Sequence, residues 1–470
     1  MSPLSRLALG LYSALTWAAQ PLLRRKLRRR ALAEPGYGLR VPERFGHYGD
    51  VPVGGHPAPA GPLVWIHAVS LGETRAAAIL LGALRQQLPG MRLLLTHGTA
   101  TGRAEGEKLL QPGDVQVWQP WDTPGAVVRF LRHLRPAIGI LMETEVWPNL
   151  IATCRAQGVP LVLANARLNQ RSFVKTLRLD GLARPAYRAL AAAWAQTERD
   201  AARLRALGAP VQGVFGNLKF DAEPDPKQRE QGRIWRTALG RPVILLASSR
   251  EGEEELLLKE MKAIPSVERS KFAINRGLIQ SAPGVQWLIV PRHPQRFDEV
   301  AALIGRHGFP VSRRSTWGAM PPAATLDAAS GVMDATAIDT ATLQDRPSIW
   351  LGDSLGEMAL YYGMSDVALL GGSFEPLGGQ NLIEAAACGC PVVMGPHTFN
   401  FAEAAELAQA AGAAQSVADM EAGCRAALAW VADPVQQRER AEAAEAFAAA
   451  HRGAGERTAR AIQALMAQPD

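Results

Sequence analysis

Short apolar runs alternate with longer mixed stretches along most of the chain. The run Leu63–Ile66 is followed by a polar loop, His67–Glu73, and then by the alanine-rich stretch Thr74–Leu84. A short apolar run is typical of a buried strand, and the longer periodic stretch is typical of a helix. Further strands are predicted at Arg92–Thr96, Ile138–Met142 and Leu161–Ala164. This alternation predicts a parallel, doubly wound α/β sheet.

A polar, proline-bearing stretch, Asp221–Gln231, interrupts the alternation, and a second series of apolar runs follows it. Strands of this series are predicted at Val243–Ala247, Trp287–Val290, Ile349–Leu351 and Val367–Leu370. At 470 residues the chain is long enough for two domains, each with its own core. We therefore predict an N-terminal domain over residues 36–228 and a C-terminal domain over residues 229–470, facing each other across a cleft. Residues 321–341 are predicted to form a flexible insertion.

The first 35 residues belong to neither series. Leu7–Leu23 carries no charge, and its length is close to the lower limit of roughly 17–25 residues for a membrane-spanning helix. A basic cluster follows it, consisting of Arg24, Arg25, Lys26, Arg28, Arg29 and Arg30. A cleaved signal peptide carries its charges before the apolar region, so we predict a retained membrane-anchor helix, which either spans the bilayer or lies in its interface, with the rest of the chain in the cytoplasm. Gln20 and Pro21 keep open the alternative of an ordinary buried helix.

Composition narrows the class of protein further. Hydrophobic residues make up 47% and charged residues 20%, which is typical of a folded globular protein. The net charge of +7 is partly concentrated in the basic cluster, next to the apolar stretch, and this placement favours anionic lipid over nucleic acid as partner. The four cysteines, Cys154, Cys388, Cys390 and Cys424, have neither zinc-site nor disulfide spacing, which indicates a reducing compartment.

Polar residues that follow the predicted strands are the candidates for chemistry, because ligands of open α/β sheets bind beyond the carboxyl ends of the strands. Glu73 lies at the start of a helix, where a carboxylate can act as general base or merely complement the helix dipole, which would lower its pKa. Spacing alone leaves these two interpretations open. Glu143 and Glu145 follow another buried strand. Carboxylates in such a place are unfavourable unless they are paired or serve a function, so a functional role is favoured. Lys219 can neutralise a phosphate or a developing negative charge, although a lone lysine is commonly plain surface.

Three polar loops of the second domain are suited to an anionic ligand. Pro291–Arg296 carries arginines, whose paired donors match phosphate geometry. Leu351–Met358 has the same form as the loop at Glu73. Gly371–Glu384 is a glycine-rich loop that feeds a helix, whose free amides suit a phosphate, and Glu384 is placed to accept hydrogen bonds from ribose hydroxyls. Neither the P-loop nor the dinucleotide fingerprint is present, so an NTPase or a nicotinamide enzyme is not supported.

These segments together resemble the family of 3-deoxy-D-manno-octulosonic acid (Kdo) transferases of lipopolysaccharide assembly. The resemblance rests on Ser70-Leu71-Gly72-Glu73, Met142-Glu143-Thr144-Glu145, Asn217-Leu218-Lys219 and the second-domain loops, and it extends to the helix after Gly395-Pro396-His397. It implies two Rossmann-like domains of the glycosyltransferase B type. It also implies CMP-Kdo as donor, a lipid A precursor (lipid IVA) as acceptor, and a place on the cytoplasmic side of the inner membrane.

The resemblance also assigns roles to residues. It implies that Glu73 is the catalytic base and that Glu143 and Lys219 stabilise the transition state. The implied CMP-binding residues are Pro291, Arg292, Leu355, Gly356, Glu357, Asn381, Leu382, Ile383 and Glu384. Two departures from the family pattern are visible: Gln380 stands where histidine is expected, and residues 262–283 and 321–341 are longer than usual.

The predicted reaction is direct displacement at the anomeric carbon of Kdo, with Glu73 removing a proton from a sugar hydroxyl of the lipid. The leaving phosphate monoester has a second pKa near ~6, so we predict neither a metal ion nor a cofactor. For His67 and His293 a structural role is at least as well supported as catalysis. The rival functions are a UDP-sugar transferase or epimerase on the same fold, and a membrane-bound scaffold with a degenerate site.

Overall fold

The computed structural model describes residues 2–49, 51, 61–263, 284–318, 320–322 and 348–467. The chain divides into two compact units, one formed by Met1–Asp221 together with His451–Asp470 and the other by Ala222–Ala450. Most of the two stretches that look longer than usual, including the predicted flexible insertion, lies outside the described residues. Each unit is an α/β unit built on a parallel sheet, as the alternating apolar runs predict.

The sheet of the first unit has seven described strands, all parallel. They are β1 (Leu63–His67), β2 (Arg92–His97), β3 (Val115–Trp118), β4 (Ile138–Met142), β5 (Leu161–Ala166), β6 (Ala192–Ala195) and β7 (Val211–Val214). Their order is β3-β2-β1-β4-β5-β6-β7. The order reverses between β1 and β4, and ligands of doubly wound sheets bind at such a switch point.

Helices cover both faces of this sheet. They are α1 (Pro3–Ala18), α2 (Gln20–Ala33), α3 (Leu71–Gln87), α4 (Ala100–Glu107), α5 (Pro124–Leu134), α6 (Pro148–Ala156), α7 (Gln170–Leu177), α8 (Asp180–Arg188) and α9 (Glu198–Ala206), with 3-10 helices at Pro35–Gly38, Val41–Phe45 and Leu218–Asp221. Alternate residues of each strand enter two cores, so that Trp65 packs edge-on against Phe130 on one face while Val64 packs with Leu80 on the other. Burial on both faces explains why the strands are apolar throughout.

Helix α3 begins three residues earlier than the sequence predicts. Ser70 is its N-cap and accepts a hydrogen bond from the backbone N–H of Glu73 at 3.4 Å, while its own hydroxyl donates to the Glu73 carboxylate at 3.0 Å. This reciprocal pairing is close to a capping box, which satisfies backbone donors in the first turn. The loop after β1 therefore ends at Ser70 and not at Glu73, and Glu73 lies inside the first turn of the helix.

The N-terminal segment forms two helices in place of the single anchor helix that we predicted. The break falls at Ala19, because Pro21 starts a new helix from its first turn and cannot donate a hydrogen bond to the preceding one. None of the helices among the described residues is long and apolar enough to cross a membrane. Helix α1 is held to the first unit by Ser13, whose hydroxyl donates to Asn149 Oδ1 at 2.7 Å, and by Tyr12, which is hydrogen-bonded to Asp122.

The second unit is built on another sheet of seven described parallel strands. They are β8 (Val243–Ser249), β9 (Gln286–Pro291), β10 (Val311–Arg313), β11 (Ile349–Leu351), β12 (Val367–Leu370), β13 (Val392–Met394) and β14 (Ala414–Ser416). The helices are α10 (Pro226–Leu239), α11 (Glu253–Ala263), α12 (Phe297–Arg306), α13 (Met358–Gly363), α14 (Leu382–Ala387), α15 (Ala402–Ala410), α16 (Met420–Ala432) and α17 (Pro434–Ala450), with 3-10 helices at Pro294–Arg296 and Arg314–Thr316. The strand order β10-β11-β9-β8-β12-β13-β14 places the switch point between β8 and β12.

The last helix, α18 (Ala454–Met466), returns to the first unit. Its apolar face, which includes Ala459 and Ile462, completes the core that contains Leu80 of α3. The carboxylate of Asp221 accepts hydrogen bonds from the backbone N–H groups of Gly453 and Gly455, each at 2.6 Å, and so caps the start of α18. The sequence analysis placed these residues in the C-terminal domain because an alanine-rich helix carries no sign of which core its apolar face will join.

Candidate active site

Glu73 lies at the carboxyl end of β1, next to the switch point of the first sheet. Its Oε2 accepts a hydrogen bond from the backbone N–H of Val69 at 2.8 Å. Burial raises the pKa of Glu73 to about 7, and it outweighs the lowering by the Val69 hydrogen bond, while Glu143 and Glu145 raise the pKa further. The helix dipole and the capping contacts therefore do not decide the protonation of this group. A carboxylate with a pKa near neutral is suited to act as a general base.

Glu143 and Glu145 lie on the loop after β4, the strand that pairs with β1. Glu143 has a φ of 56°, in the left-handed region that residues other than glycine seldom adopt. Glu145 accepts a hydrogen bond from Trp147 Nε1 at 2.7 Å, and burial raises its pKa. The structure thus brings Glu73 together with two carboxylates from another loop, and the charge of Glu143 raises the pKa values of both Glu73 and Glu145.

His67 is the last residue of β1 and is almost completely buried, with 1% of its surface exposed. Its Nδ1 lies 2.9 Å from Thr96 Oγ1, and its Nε2 lies 3.9 Å from the Glu145 carboxylate. Burial lowers the pKa of His67 to about 4, so the ring is neutral at pH 7. These contacts support the structural role for His67.

Lys219 is half-buried in the 3-10 helix that follows β7. Its backbone N–H donates to Asn217 Oδ1 at 3.0 Å, and the N–H of the preceding residue, Leu218, donates to Asn165 Oδ1 at 3.1 Å. The structure places Lys219 after β7, three positions along the sheet from β4, and Asn165 connects its segment to β5. Sequence reasoning missed Asn165, although a polar residue at the end of a buried strand is the signal that it applied elsewhere.

In the second unit the loop after β9 contacts the glycine-rich loop after β12. Arg292 is exposed, its backbone N–H donates to Ser249 O at 3.0 Å, and its Nε donates to Gln380 Oε1 at 3.2 Å. Gln380 is the residue at which the sequence analysis expects histidine. Its amide oxygen accepts this hydrogen bond and so orients the guanidinium of Arg292.

The remaining residues implied for CMP binding lie on neighbouring loops of the same unit. Leu355 is 73% exposed, Gly356 has a φ of 78°, and Glu357 accepts a hydrogen bond from Arg314 at 2.9 Å. Asn381 caps α14 by accepting the backbone N–H of Ile383 at 3.1 Å. Leu382, Ile383 and Glu384 form the first turn of that helix. The nine residues therefore all lie in the second unit, at the end of β9 or after β9, β11 and β12.

The first turn of α11, which follows β8, holds two further residues that the sequence analysis missed. Glu253 is completely buried, and its carboxylate accepts the backbone N–H groups of Gly372 at 2.7 Å, Arg250 at 2.9 Å and Phe374 at 3.1 Å. Glu254, also completely buried, accepts two hydrogen bonds from Arg296, at 2.8 and 3.2 Å. The signal was present in the sequence, because the polar run 248–254 directly follows an apolar strand.

Solved structures of two kinds share this architecture. A glycosyltransferase from Rickettsia africae aligns with a TM-score of 0.52 at 12% identity, over 87% of this chain and 100% of that chain. A UDP-GlcNAc 2-epimerase from Neisseria meningitidis, bound to UDP-GlcNAc, aligns with a TM-score of 0.51 at 13% identity, over 86% of this chain and 99% of that chain. At these identities the likeness shows the fold alone. The protein therefore has the two-unit α/β fold found in such transferases and epimerases.

Sequence comparison narrows this class to one family. The sequence profile of a family described as 3-deoxy-D-manno-octulosonic-acid transferase (kdotransferase) matches residues 39–222. A 3-deoxy-D-manno-octulosonic acid transferase of Bordetella pertussis is 44% identical over 460 residues, covering 97% of this chain and 98% of that protein. One of Haemophilus influenzae is 32% identical over 396 residues, covering 83% of each chain. The chain belongs to the Kdo transferase family of glycosyltransferases, which confirms the resemblance seen in its motifs.

Proposed function

We propose that this protein transfers Kdo from CMP-Kdo to a lipid A precursor, lipid IVA, on the cytoplasmic side of the inner membrane during lipopolysaccharide synthesis. The observation that carries the proposal is Glu73. It combines a pKa raised by burial to about 7 with a position at the switch point of the first sheet. The Kdo transferase of Bordetella pertussis, which is similar over 97% of this chain, supports the choice of Kdo as the sugar.

In the proposed reaction Glu73 accepts the proton of an acceptor hydroxyl while that oxygen forms a bond to the anomeric carbon of Kdo. The bond from this carbon to the phosphate oxygen of CMP breaks, and its electron pair leaves with CMP. Glu143 and Lys219 stabilise the charges that develop in the transition state. No metal ion or cofactor takes part in this scheme, because the leaving CMP is a stable phosphate monoester whose charge cationic side chains and helix amides can neutralise.

The second unit supplies the proposed donor site. Arg292 is held at the glycine-rich loop by Gln380, where its guanidinium is suited to the phosphate of CMP. Asn381 and the first turn of α14 present backbone to the nucleotide, and the Glu384 carboxylate accepts hydrogen bonds from the ribose hydroxyls. Pro291 and residues 355–357 complete this site.

The proposed donor specificity has a direct test. Purified protein is incubated with a lipid A precursor and either CMP-Kdo or a set of UDP-sugars, and the lipid product is analysed by mass spectrometry. We expect a mass increase of one or more Kdo units with CMP-Kdo and no product with the UDP-sugars. Transfer from a UDP-sugar, or no transfer from CMP-Kdo, would refute the proposal and favour the rival nucleotide-sugar function.

Membrane attachment in the proposal is interfacial, through one face of α1. Leu7, Leu11 and Leu15 recur every four residues on this face and are 72%, 63% and 60% exposed. The opposite face is held by polar contacts, such as that of Ser13 with Asn149. An exposed apolar stripe beside the basic helix α2 is typical of a helix that lies in the headgroup region of an anionic membrane.

Helix α7 is a second membrane-contacting helix in the proposal. None of its residues is buried, Val174 is 43% exposed, and the chain around it carries the basic residues Arg171 and Lys175. The combination of exposed apolar and basic side chains on one short helix is again suited to an anionic membrane surface.

We expect replacement of all three α1 leucines by serine to lower binding to vesicles that contain anionic phospholipid by about 10–100-fold, because the apolar area buried in the bilayer is lost. Flotation of the full chain with such vesicles measures this. Val435→Ser is the matched control, because Val435 is 68% exposed but lies on α17 of the second unit. Equal binding of the triple variant and the control would contradict the attachment through α1.

A further inference from the structure

Asn165 has an unusual backbone conformation at the carboxyl end of β5. Its φ is 52°, and the pairing of β5 with β6 shifts register between Leu163 and Ala166. Such bulges turn a side chain away from its regular direction, and they are frequent beside active sites. A residue in the left-handed region is strained, and asparagine tolerates this conformation better than most other residues.

The side chain of Asn165 is buried and makes a contact distant in sequence. Only 2% of the residue is exposed, and its Oδ1 accepts the backbone N–H of Leu218, the residue before Lys219, at 3.1 Å. Its backbone carbonyl is fixed in turn by Gln196 Nε2, which donates to it at 2.9 Å. The contact therefore runs from β5 past β6 to the segment that follows β7.

The backbone around Asn165 also holds Glu143. The N–H of Glu143 donates to Ala164 O at 3.0 Å, and the N–H of Arg167 donates to Glu143 O at 3.2 Å. The backbone of Glu143 is thus hydrogen-bonded to Ala164 and to Arg167, which lie before and after Asn165 in the chain. One short segment of β5 connects the backbone of Glu143 with the backbone that precedes Lys219.

The Nδ2 group of Asn165 is buried and has no hydrogen-bond partner among the described residues. A buried donor without a partner is unfavourable, so the amide nitrogen does not account for an asparagine here. Its carbonyl oxygen and its tolerance of the left-handed conformation do account for it, because both are needed for the contact with Leu218.

We propose that Asn165 is a positioning residue for the transfer reaction, which fixes Lys219 relative to Glu143 through the Leu218 hydrogen bond. This inference rests on the proposed function, in which Glu143 and Lys219 act on one transition state. Asn165 itself does not touch the substrates. Its contribution is therefore expected in kcat and not in the affinity for CMP, since the proposed nucleotide-binding residues lie in the second unit.

The variant Asn165→Gly tests the proposal, because glycine adopts the left-handed conformation without strain but has no side-chain acceptor. We expect kcat to fall about tenfold, as for the loss of one hydrogen bond, while the KM for the donor and the Kd of CMP change less than about twofold. The inflection of the pH–rate profile is expected to stay in place, since Glu73 is untouched. Arg135→Gly is the matched control, because Arg135 also has a positive φ, 49°, but caps α5 on the exposed surface.

A double-variant cycle with Lys219→Met separates positioning from a general structural effect. If Asn165 acts through Lys219, adding Asn165→Gly to Lys219→Met lowers the remaining rate by less than about twofold. A full tenfold loss in that background, or an unchanged kcat of Asn165→Gly alone, would overturn the proposal.

Hydrogen exchange keeps this inference distinct from the proposed function. In the full chain, the backbone amide of Leu218 is expected to lose protection in Asn165→Gly and to keep it in Arg135→Gly. This readout does not depend on which sugar is transferred. If the wild-type protein fails to use CMP-Kdo, the proposed function is refuted while the exchange result still decides whether Asn165 holds the Lys219 segment; unchanged protection of Leu218 overturns the role of Asn165.

Discussion

Replacing Glu73 by glutamine is expected to lower kcat for Kdo transfer by about 10²–10⁴-fold, the usual contribution of a general base. Glutamine has nearly the same size and still offers an oxygen to the backbone N–H of Val69, but it cannot take up a proton from the acceptor hydroxyl. Initial rates with CMP-Kdo and a lipid A precursor measure the loss. Calorimetric titration with CMP is expected to give the wild-type affinity, because the proposed nucleotide-binding residues lie in the second unit.

A matched control for this substitution is Glu198→Gln, whose side chain is 81% exposed on α9. Its rate is expected to equal that of the wild type. Near-normal turnover of Glu73→Gln would mean that another group removes the proton, and the proposed base would then have to be abandoned.

The raised pKa predicts a second effect of Glu73→Gln: the variant loses activity but gains stability at pH 8. Burial raises the pKa of Glu73 from its ordinary value of 4.5 to about 7, so the folded protein favours the neutral carboxyl. The wild type therefore loses stability as pH rises from about 4.5 to about 7, and its activity rises over the upper part of that range. At pH 8 Glu73→Gln is expected to be more stable by about 1–3 kcal/mol in urea denaturation. If Glu73 served only to cap α3, the variant would instead be less stable and nearly as active.

The second large effect is expected at Glu253, whose carboxylate arranges the glycine-rich loop. Glutamine has a single acceptor oxygen and turns an NH₂ group toward the amides of Gly372, Arg250 or Phe374, so at least one buried N–H loses its partner. An unpartnered buried N–H costs about 1–3 kcal/mol. Because CMP binding needs the glycine-rich loop in this arrangement, the affinity for CMP is expected to fall about ten- to hundredfold. Calorimetry with CMP measures this on the full chain.

The neighbouring residue Glu251 provides the control for Glu253. Its side chain is 55% exposed and pairs with Arg250 at the surface, so Glu251→Gln is expected to bind CMP within about twofold of the wild type. A Glu253→Gln protein with lowered stability but unchanged CMP affinity would show that Glu253 supports only the fold of the second unit.

Strands that are apolar and flanked by polar loops could be predicted from the sequence. The predicted bounds of β4, β11 and β12 agree with the structure. The strand β6, Ala192–Ala195, was missed because a short run rich in alanine looks the same as part of a helix. Helix α18 was assigned to the C-terminal domain, although it packs on the first unit, for a related reason: an apolar helix face does not tell which core it will join.

The position of Glu73 beyond the end of β1 could also be predicted, but its protonation could not. Helix position alone favours a lowered pKa, whereas burial and two carboxylates from another loop raise it. Asn165 and Glu253 were missed because their roles depend on contacts across 53 and 119 positions of the chain, with Leu218 and Gly372. No local pattern records such contacts, although both residues follow strands, where a search for polar side chains finds them.

The return of α18 to the first unit has a consequence for the order in which the protein can fold during synthesis. The ribosome makes residues 222–450 between the two parts of that unit, which takes roughly 10–45 s at the usual rate of elongation. During this interval the apolar surface of α3 that Ile462 later covers stays open, and the Asp221 carboxylate still lacks the amides of Gly453 and Gly455. The second unit is thus complete before the first. A nascent chain stalled before residue 451 exposes the apolar surface of α3 to chaperones.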